Sequence, residues 1–156
     1  MSTLLPILIL VTALPLSPAT AQTSCDLQGA WDLVSAKYDN EPAPSTFKSM
    51  KTFTKTRFSV VGLDTALLGP LVADADRLKF YSSLTAVGGS YVAGAGTWTE
   101  KLDYSTDPSY IGMSFTFQCG HEGDRLVQKG TIAAFEAGKK TRDISLEEVW
   151  RRVDRP

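Results

Sequence analysis

The residue types that could do chemistry at neutral pH are few in this chain. The single histidine, His121, lies in the sequence CGHEGD, between glycines that are typical of a turn. A catalytic triad needs a base that a third group orients, and an exposed turn offers no such group. Cys119 and His121 could ligate a metal, but no second pair of ligands accompanies them. We therefore predict that His121 is a turn residue, and we expect no metal site and no cofactor.

Four further candidates depend on whether their side chains face a cavity: Glu100, Tyr104, Glu148 and Arg152. An inward glutamate with a raised pKa could act as the general base of an isomerase or cyclase, so Glu100 and Glu148 are weak catalytic candidates. Two other roles stay open for these residues, namely an internal network of salt bridges and water, and a polar anchor for the head group of an apolar ligand. Enzymatic activity is left undecided, and a binding protein is favoured.

Alternation with a period of two assigns the candidates to the faces of strands. One face of segment 97–105 carries two aromatic side chains, a leucine and an acid, which are Trp98, Glu100, Leu102 and Tyr104. In segment 110–120 an apolar row predicts the interior face, and it consists of Met113, Phe115 and Phe117. An isolated carboxylate is costly to bury, so an inward Glu100 must find a partner.

The last predicted strand, 144–154, has an acidic and a basic residue on the same face as a tryptophan. One face holds Glu148, Trp150 and Arg152, and the other holds Val149 and Val153. We favour the orientation with Trp150 inside; the alternative packs the two valines inward. The acid and the base would lie ~13 Å apart along the strand, too far to pair with each other. Each therefore needs a partner on another strand or on a ligand.

The elements that must position these residues are predicted to be strands, joined by short connections. The predicted strands are 29–39, 50–61, 77–84, 88–94, 97–105, 110–120, 124–136 and 144–154. About eight consecutive strands predict an all-β fold, a single up-and-down antiparallel barrel whose closure removes exposed edges. Segment 40–45 is predicted to be a loop. Segment 62–76 fits no strand and is predicted to be a loop or short helix over one mouth of the barrel.

The N-terminal segment is predicted to direct export. An uncharged apolar run, 4–16, precedes the A-x-A cleavage pattern at 19–21, which is typical of a signal peptide. We predict a signal peptide at 1–21 and a single domain at 22–156, secreted or periplasmic and without stable membrane insertion after cleavage. An uncleaved anchor and acylation of Cys25 remain as alternatives. Export also predicts a disulfide between Cys25 and Cys119 rather than two free thiols.

The charge balance excludes one class of partner. The 16 basic and 17 acidic residues nearly cancel, so no basic surface for nucleic acid is expected. The oligomeric state is left undetermined.

Several blocks of the sequence resemble known families. Gly29-Ala30-Trp31 matches the G-x-W that opens lipocalins, and fatty-acid-binding proteins start similarly and end with an aromatic residue and an arginine on the last strand. The ordered blocks GGSYVAGAGTWTEKLDY, IGMSFTF, GDRLVQKG and LEEVWRRV are similar to a group of bacterial secreted lipocalin-like proteins. The resemblance covers nearly the whole predicted domain and implies a small calycin-type barrel with adjacent first and last strands. It also implies that the Trp31 indole stacks on Arg152.

The resemblance implies structural roles for Gly29, Trp31, Gly88 and Gly89. The function that follows is binding of a small hydrophobic molecule inside the barrel. The predicted ligand-binding residues are Trp98, Glu100, Tyr104, Met113, Phe115, Phe117, Trp150 and Arg152. Two alternatives remain open: a small-barrel enzyme that uses an interior glutamate, and a closed-core scaffold or inhibitor that recognises a protein through its loops.

Overall fold

The computed structural model describes residues 25–70 and 73–153. The predicted signal peptide, 1–21, lies outside the described residues, and so do 71–72 and 154–156. Within the described part, strands dominate and one α-helix interrupts them.

The described residues form nine strands and one α-helix in a simple order along the chain. The strands are β1 (Gly29–Tyr38), β2 (Glu41–Pro42), β3 (Phe47–Phe53), β4 (Arg57–Asp64), β5 (Thr85–Ala93), β6 (Thr97–Ser105), β7 (Ser114–Glu122), β8 (Arg125–Glu136) and β9 (Lys139–Arg152). The helix α1 (Asp74–Ser83) lies between β4 and β5. Short 3-10 helices occupy Thr65–Leu67 and Pro108–Tyr110.

The sheet closes into the predicted antiparallel barrel. From β3 onward each strand pairs with the next in sequence, and β1 pairs with both β3 and β9. The closing pairs run from Trp31–Arg152 to Tyr38–Leu146. Eight strands therefore form the barrel, while the two-residue β2, within the predicted loop 40–45, adds to β1 outside it. The predicted all-β fold class is confirmed.

The prediction of a single strand over 50–61 is wrong. The chain reverses at residues 54–56, where the Thr54 amide donates to the Arg57 carbonyl oxygen at 2.8 Å and the Arg57 amide donates to the Thr54 hydroxyl at 3.1 Å. These bonds close a hairpin between β3 and β4, with Phe53 opposite Phe58. No glycine or proline marks this turn, which is why alternation alone did not divide the segment.

The prediction of a strand over 77–84 is also wrong, because these residues lie in α1 and at its end. Asp74 and Asp76 lie in the first turn of the helix, where negative charge complements the helix dipole. The Asp76 carboxylate accepts a hydrogen bond from the Ala73 amide at 3.2 Å. None of the helical residues is buried, and Leu78 and Tyr81 are largely exposed. The helix therefore belongs to the connection between β4 and β5 and not to the barrel wall.

The connection predicted for 62–76 differs in extent from the observed one. Residues 62–64 complete β4, the 3-10 helix follows, and α1 begins at Asp74. The Asp64 carboxylate accepts from the Ala66 amide at 3.0 Å and so caps the 3-10 helix. The connection continues through α1 to β5, which places it at the end of the barrel where β4 ends and β5 begins.

A β-bulge in β6 changes the side of the sheet to which the following side chains point. Gly88 and Gly89 are consecutive in β5, but their partners Tyr104 and Leu102 are two residues apart. The additional residue, Asp103, reverses the alternation beyond Leu102, so Tyr104 points outward and is 49% exposed. The prediction that Tyr104 faces inward is therefore wrong. A side chain on Gly89 would collide with the Lys101 carbonyl oxygen, and one on Gly88 with the Tyr104 phenol.

One end of the barrel is closed by the N-terminal segment; we call Cys25–Gln28, Trp31 and Arg152 the closed end. The predicted disulfide between Cys25 and Cys119 is present and ties this segment to β7. The Trp31 indole nitrogen donates to the Leu27 carbonyl oxygen at 2.7 Å. The predicted stacking is also found, since the Arg152 guanidinium carbon lies 4.3 Å from the centre of a Trp31 ring.

The Arg152 guanidinium joins the last strand to the N-terminal segment. It donates to the Gln28 carbonyl oxygen at 2.8 Å and to the Asp26 carboxylate at 2.7 Å. Gly29, which precedes Trp31 by two residues, has a φ of 122°, a conformation that favours glycine. The first and last strands are thus fixed to each other at the closed end by side-chain as well as backbone contacts.

Candidate functional site

The barrel contains a cavity of about 470 Å³ at the end opposite the closed end. Its apolar wall comes from all parts of the barrel and includes Val60, Val87, Leu102, Tyr110, Phe115, Ile132 and Leu146. Its mouth lies at α1 and the neighbouring strand ends, and is lined by Tyr81, Ser82, Leu84, Thr85, Ser105, Thr106 and Asp107. Ligand cavities of proteins commonly span about 300–1,000 Å³, so the size suits a small organic molecule.

The inner part of the cavity is polar; we call Lys51, Glu100, Gln128 and Glu148 the cavity floor. Lys51 is 2% exposed and Glu100 is 5% exposed. The Lys51 ammonium lies 2.7 Å from the Glu100 carboxylate and donates to the Gln128 side-chain oxygen at 2.9 Å. The expectation that an inward Glu100 must find a partner is met by Lys51 of β3, which was not among the predicted site residues.

Aromatic rings surround the Lys51 ammonium group. Its nitrogen lies 5.3–5.8 Å from the centres of five rings, those of Phe53, Phe58, Trp98, Phe117 and Trp150. Distances within about 6 Å allow cation–π attraction, which is stronger where water is excluded. The Trp98 indole also donates to Glu100 at 2.8 Å. Among the described residues, every buried side-chain nitrogen and oxygen has a hydrogen-bond partner.

Glu148 is the second carboxyl group of the cavity floor. The Trp150 indole donates to it at 3.2 Å, and the Tyr38 phenol forms a hydrogen bond with it. Burial raises the pKa of Glu148 to about 7, and the nearby Glu100 carboxylate also raises it, while Lys51 and the two hydrogen bonds act in the opposite direction. Burial and then the Glu148 carboxylate raise the pKa of Tyr38, so its phenol stays protonated and donates.

We expect Glu148→Gln to increase the free energy of unfolding at about pH 8, by up to about 3 kcal/mol. The ordinary pKa of 4.5 applies to the unfolded chain and about 7 to the folded protein. Between these values the folded protein binds more protons, so the stability of the wild type falls as the pH rises and levels off above about 7. Glutamine does not ionise in this range, so the stability of the variant should not show this decline. Urea unfolding across that pH range measures it.

Glu147→Gln is the matched control, because Glu147 is the neighbouring carboxylate on the outer face. It pairs with Lys129 at 2.9 Å and with Lys37 at 3.8 Å, and these lysines lower its pKa. Its removal should therefore not abolish the decline in stability between about pH 5 and about pH 7. A wild-type stability that is constant over this range would contradict the assignment of Glu148.

The structure separates the eight predicted ligand-binding residues into two groups. Four of them line the cavity: Glu100, Phe115, Phe117 and Trp150. The favoured orientation of β9, with Trp150 inside, is the one observed, and Trp150 is 1% exposed. Whether these four residues bind a ligand remains a prediction.

The other four predicted residues do not line the cavity. Trp98 is buried beside the cavity floor, and Met113 packs at the margin of the core. Tyr104 lies outside because of the bulge in β6. Arg152 lies at the closed end with its guanidinium bound to Asp26 and Gln28, so the structure does not place it where it could meet a ligand carboxylate in the cavity.

At the inner end of the cavity, three polar residues were not predicted from the sequence: Tyr38, Lys51 and Gln128. A signal existed for two of them. Lys51 precedes the inward Phe53 by two residues, and Gln128 follows the inward Leu126 by two, so alternation predicts that both face inward. Tyr38 gave no such signal, because the pairing of β1 with β9 shifts between Leu33 and Ser35 and reverses the alternation that starts at Trp31.

His121 lies near the end of β7, is exposed, and faces Leu126 of β8 across the hairpin. Among residues 25–70 and 73–153, no group of three or more His, Cys, Asp and Glu side chains is placed to hold a metal ion. No helix in the described part of the chain is long and apolar enough to span a membrane.

No protein-family model matches the chain, and no curated protein matches it. The class of protein is therefore defined by its architecture: a closed, up-and-down antiparallel β-barrel with an internal cavity, as in the calycin-like fold.

Proposed function

We propose that this protein is an exported, lipocalin-like barrel that binds a small, mainly apolar molecule in its cavity. The observation that carries the proposal is the cavity of about 470 Å³, with an apolar and aromatic wall and a small number of polar groups at its inner end. Binding sites for small molecules commonly combine these features, because apolar contact supplies affinity and a few polar groups fix orientation. The disulfide supports export, since such bonds persist in oxidising compartments.

The cavity argues against the closed-core scaffold, which requires a filled interior. The polar residues of the cavity floor also argue against a scaffold with a closed core. Replacing a buried ion pair by apolar residues often leaves stability unchanged or improves it, so the pair is poorly explained by stability alone. Departures from an apolar core are expected at functional sites.

The test is native mass spectrometry of the protein isolated from the medium or periplasm of its own cells, followed by organic extraction. We expect a stoichiometric adduct of a small apolar molecule. The variant Val60→Trp places a large ring in the cavity wall and should be isolated without the adduct. An adduct retained at full occupancy by Val60→Trp, or an unbound mass together with no uptake of an apolar dye, would contradict the proposal.

A second candidate function is acid–base catalysis on the bound molecule, and the position of Glu148 favours it. A carboxyl group with a pKa of about 7 inside a cavity is poised to exchange protons near neutral pH. Glu100 is less suited to this role because Lys51 and Trp98 already occupy its carboxylate. Once the molecule is identified, Glu148→Gln should abolish its turnover at saturating concentrations; turnover that persists in this variant would exclude Glu148 as the base.

A further inference from the structure

The charges that line the cavity do not balance. Among the described lining residues, three are acidic, namely Glu100, Asp107 and Glu148, and the sole basic one is Lys51. Lys51 forms an ion pair with Glu100 at 2.7 Å and also attracts the charge of Glu148, so one lysine faces both carboxyl groups of the cavity floor, while Asp107 lies at the mouth. The cavity therefore has an excess of negative charge when its carboxyl groups are ionised.

The charged and titratable groups that act on Glu148 in the described part of the chain come from three other strands of the barrel. Lys51 of β3 attracts its charge, Glu100 of β6 repels it, and the Tyr38 phenol of β1 hydrogen-bonds to it. Gln128 of β8, directly opposite in the sheet, is neutral and is bound to Lys51. Without a bound cation, the burial of Glu148 raises its pKa and so favours the protonated carboxyl group. A positively charged ligand group would neutralise the same carboxylate without that proton.

The wall of the cavity is also suited to an organic cation. Six of the described lining residues are aromatic: Tyr38, Tyr81, Tyr110, Phe115, Phe117 and Trp150. The faces of aromatic rings attract ammonium groups, and the protein already uses this attraction for its own Lys51. The cavity is less suited to an anionic head group. Such a group would add negative charge to the cavity, and Arg152 is committed to Asp26 and Gln28 at the closed end.

We propose that the molecule bound in the barrel is an apolar amine, whose ammonium group pairs with Glu148 while its apolar part contacts the aromatic wall. This inference rests on the proposed function and specifies the chemical class of its ligand. It also predicts proton linkage: the ammonium group displaces the proton from Glu148, so binding weakens as the pH falls below about 7.

The test compares three probes that share one apolar chain and differ in the head group: octylamine, 1-octanol and octanoate. Isothermal titration calorimetry at about pH 8 should give octylamine an affinity at least about tenfold higher than that of either other probe, because only the amine brings a positive charge that forms an ion pair with the Glu148 carboxylate. Between about pH 8 and about pH 6 the octylamine affinity should fall about tenfold, whereas that of 1-octanol should stay constant.

Two variants show whether Glu148 is responsible. Glu148→Gln should reduce the octylamine affinity to that of 1-octanol and remove its dependence on pH. Glu147→Gln, which removes the adjacent carboxylate on the outer face, should retain both the preference and the pH dependence. Circular dichroism of both variants establishes that they are folded before their affinities are compared.

The outcomes separate this inference from the proposed function. Binding of 1-octanol or octanoate with an affinity equal to or above that of octylamine would overturn the amine assignment while leaving an apolar-ligand barrel. An octylamine preference that survives in Glu148→Gln would overturn the role of Glu148. Binding of none of the three probes would count against both proposals.

Discussion

Replacing Lys51 by methionine is expected to lower the free energy of unfolding by about 3–5 kcal/mol. Methionine fills a similar volume, so the loss comes from charge and not from a void. The variant leaves the Glu100 carboxylate buried, with the Trp98 indole as its remaining hydrogen-bond donor and no ammonium group at 2.7 Å. It also removes the hydrogen bond to Gln128. Urea unfolding at about pH 7.5 measures the change.

The double variant Lys51→Met, Glu100→Gln is the control for this prediction. The glutamine that replaces Glu100 keeps an acceptor for the Trp98 indole but has no charge to bury, so most of the lost stability should return. Lys129→Met, which removes a lysine from an exposed pair on the outer face, should change the stability much less. A double variant no more stable than Lys51→Met would show that the buried charge is not the cause.

Removing the disulfide is the second change with a large expected effect. Cys25 and Cys119 are 94 positions apart, and closing a loop of that length stabilises a folded chain by about 4–5 kcal/mol in the chain-entropy model. The bond also holds the N-terminal segment at the closed end, where Leu27 accepts from Trp31 and Asp26 binds Arg152. We expect the variant Cys25→Ala, Cys119→Ala to unfold at a much lower urea concentration than the oxidised wild type.

Reduction of the wild type provides the comparison for this prediction. The reduced wild type and the double alanine variant should show similar losses, because both free the same loop. A loss below about 1 kcal/mol in the double variant would indicate that the contacts of Trp31 and Arg152 hold the segment in place without the bond.

The fold could be predicted because its strongest signals are local. The hairpin of β5 and β6 is marked by the glycines at 94 and 96 and by alternating side chains, and its second strand was predicted with the bounds that the structure shows. The disulfide followed from the presence of two cysteines and from a predicted export signal. Barrel closure followed from the succession of strands with short connections.

The elements that were predicted wrongly lack such local signals. The helix α1 buries none of its residues, so its sequence shows no apolar stripe, and its aromatic pair Phe80–Tyr81 is equally typical of a strand. The turn between β3 and β4 is formed by threonine and lysine residues. Its hydrogen bonds, rather than a glycine or proline, define it.

The candidate site could be predicted only where alternation continues without interruption. It does so for Trp98, Glu100 and Leu102, which are all buried, and for Phe115 and Phe117. It fails beyond the bulges, where one additional residue moves every following side chain to the opposite face. Tyr104 was therefore misplaced, and Tyr38 gave no signal.

The partners of the interior charges were unpredictable for a different reason. Lys51, Glu100, Gln128 and Glu148 lie on four different strands, and only the closed barrel brings them together. The sequence could predict that an inward glutamate needs a partner. It could not identify that partner among the lysines and arginines of the other strands, because register across the barrel depends on the turns and bulges.

The central claim is that a small molecule binds inside the barrel, and the most direct test is a titration with an environment-sensitive apolar dye. The three proteins compared are the wild type, Val60→Trp and Val61→Trp. The two variants add the same side chain at adjacent positions of β4, one lining the cavity and the other 46% exposed on the outer face. We predict saturable uptake of one dye per chain by the wild type and Val61→Trp, and none by folded Val60→Trp. Equal uptake by both variants, or none by the wild type, would contradict the account.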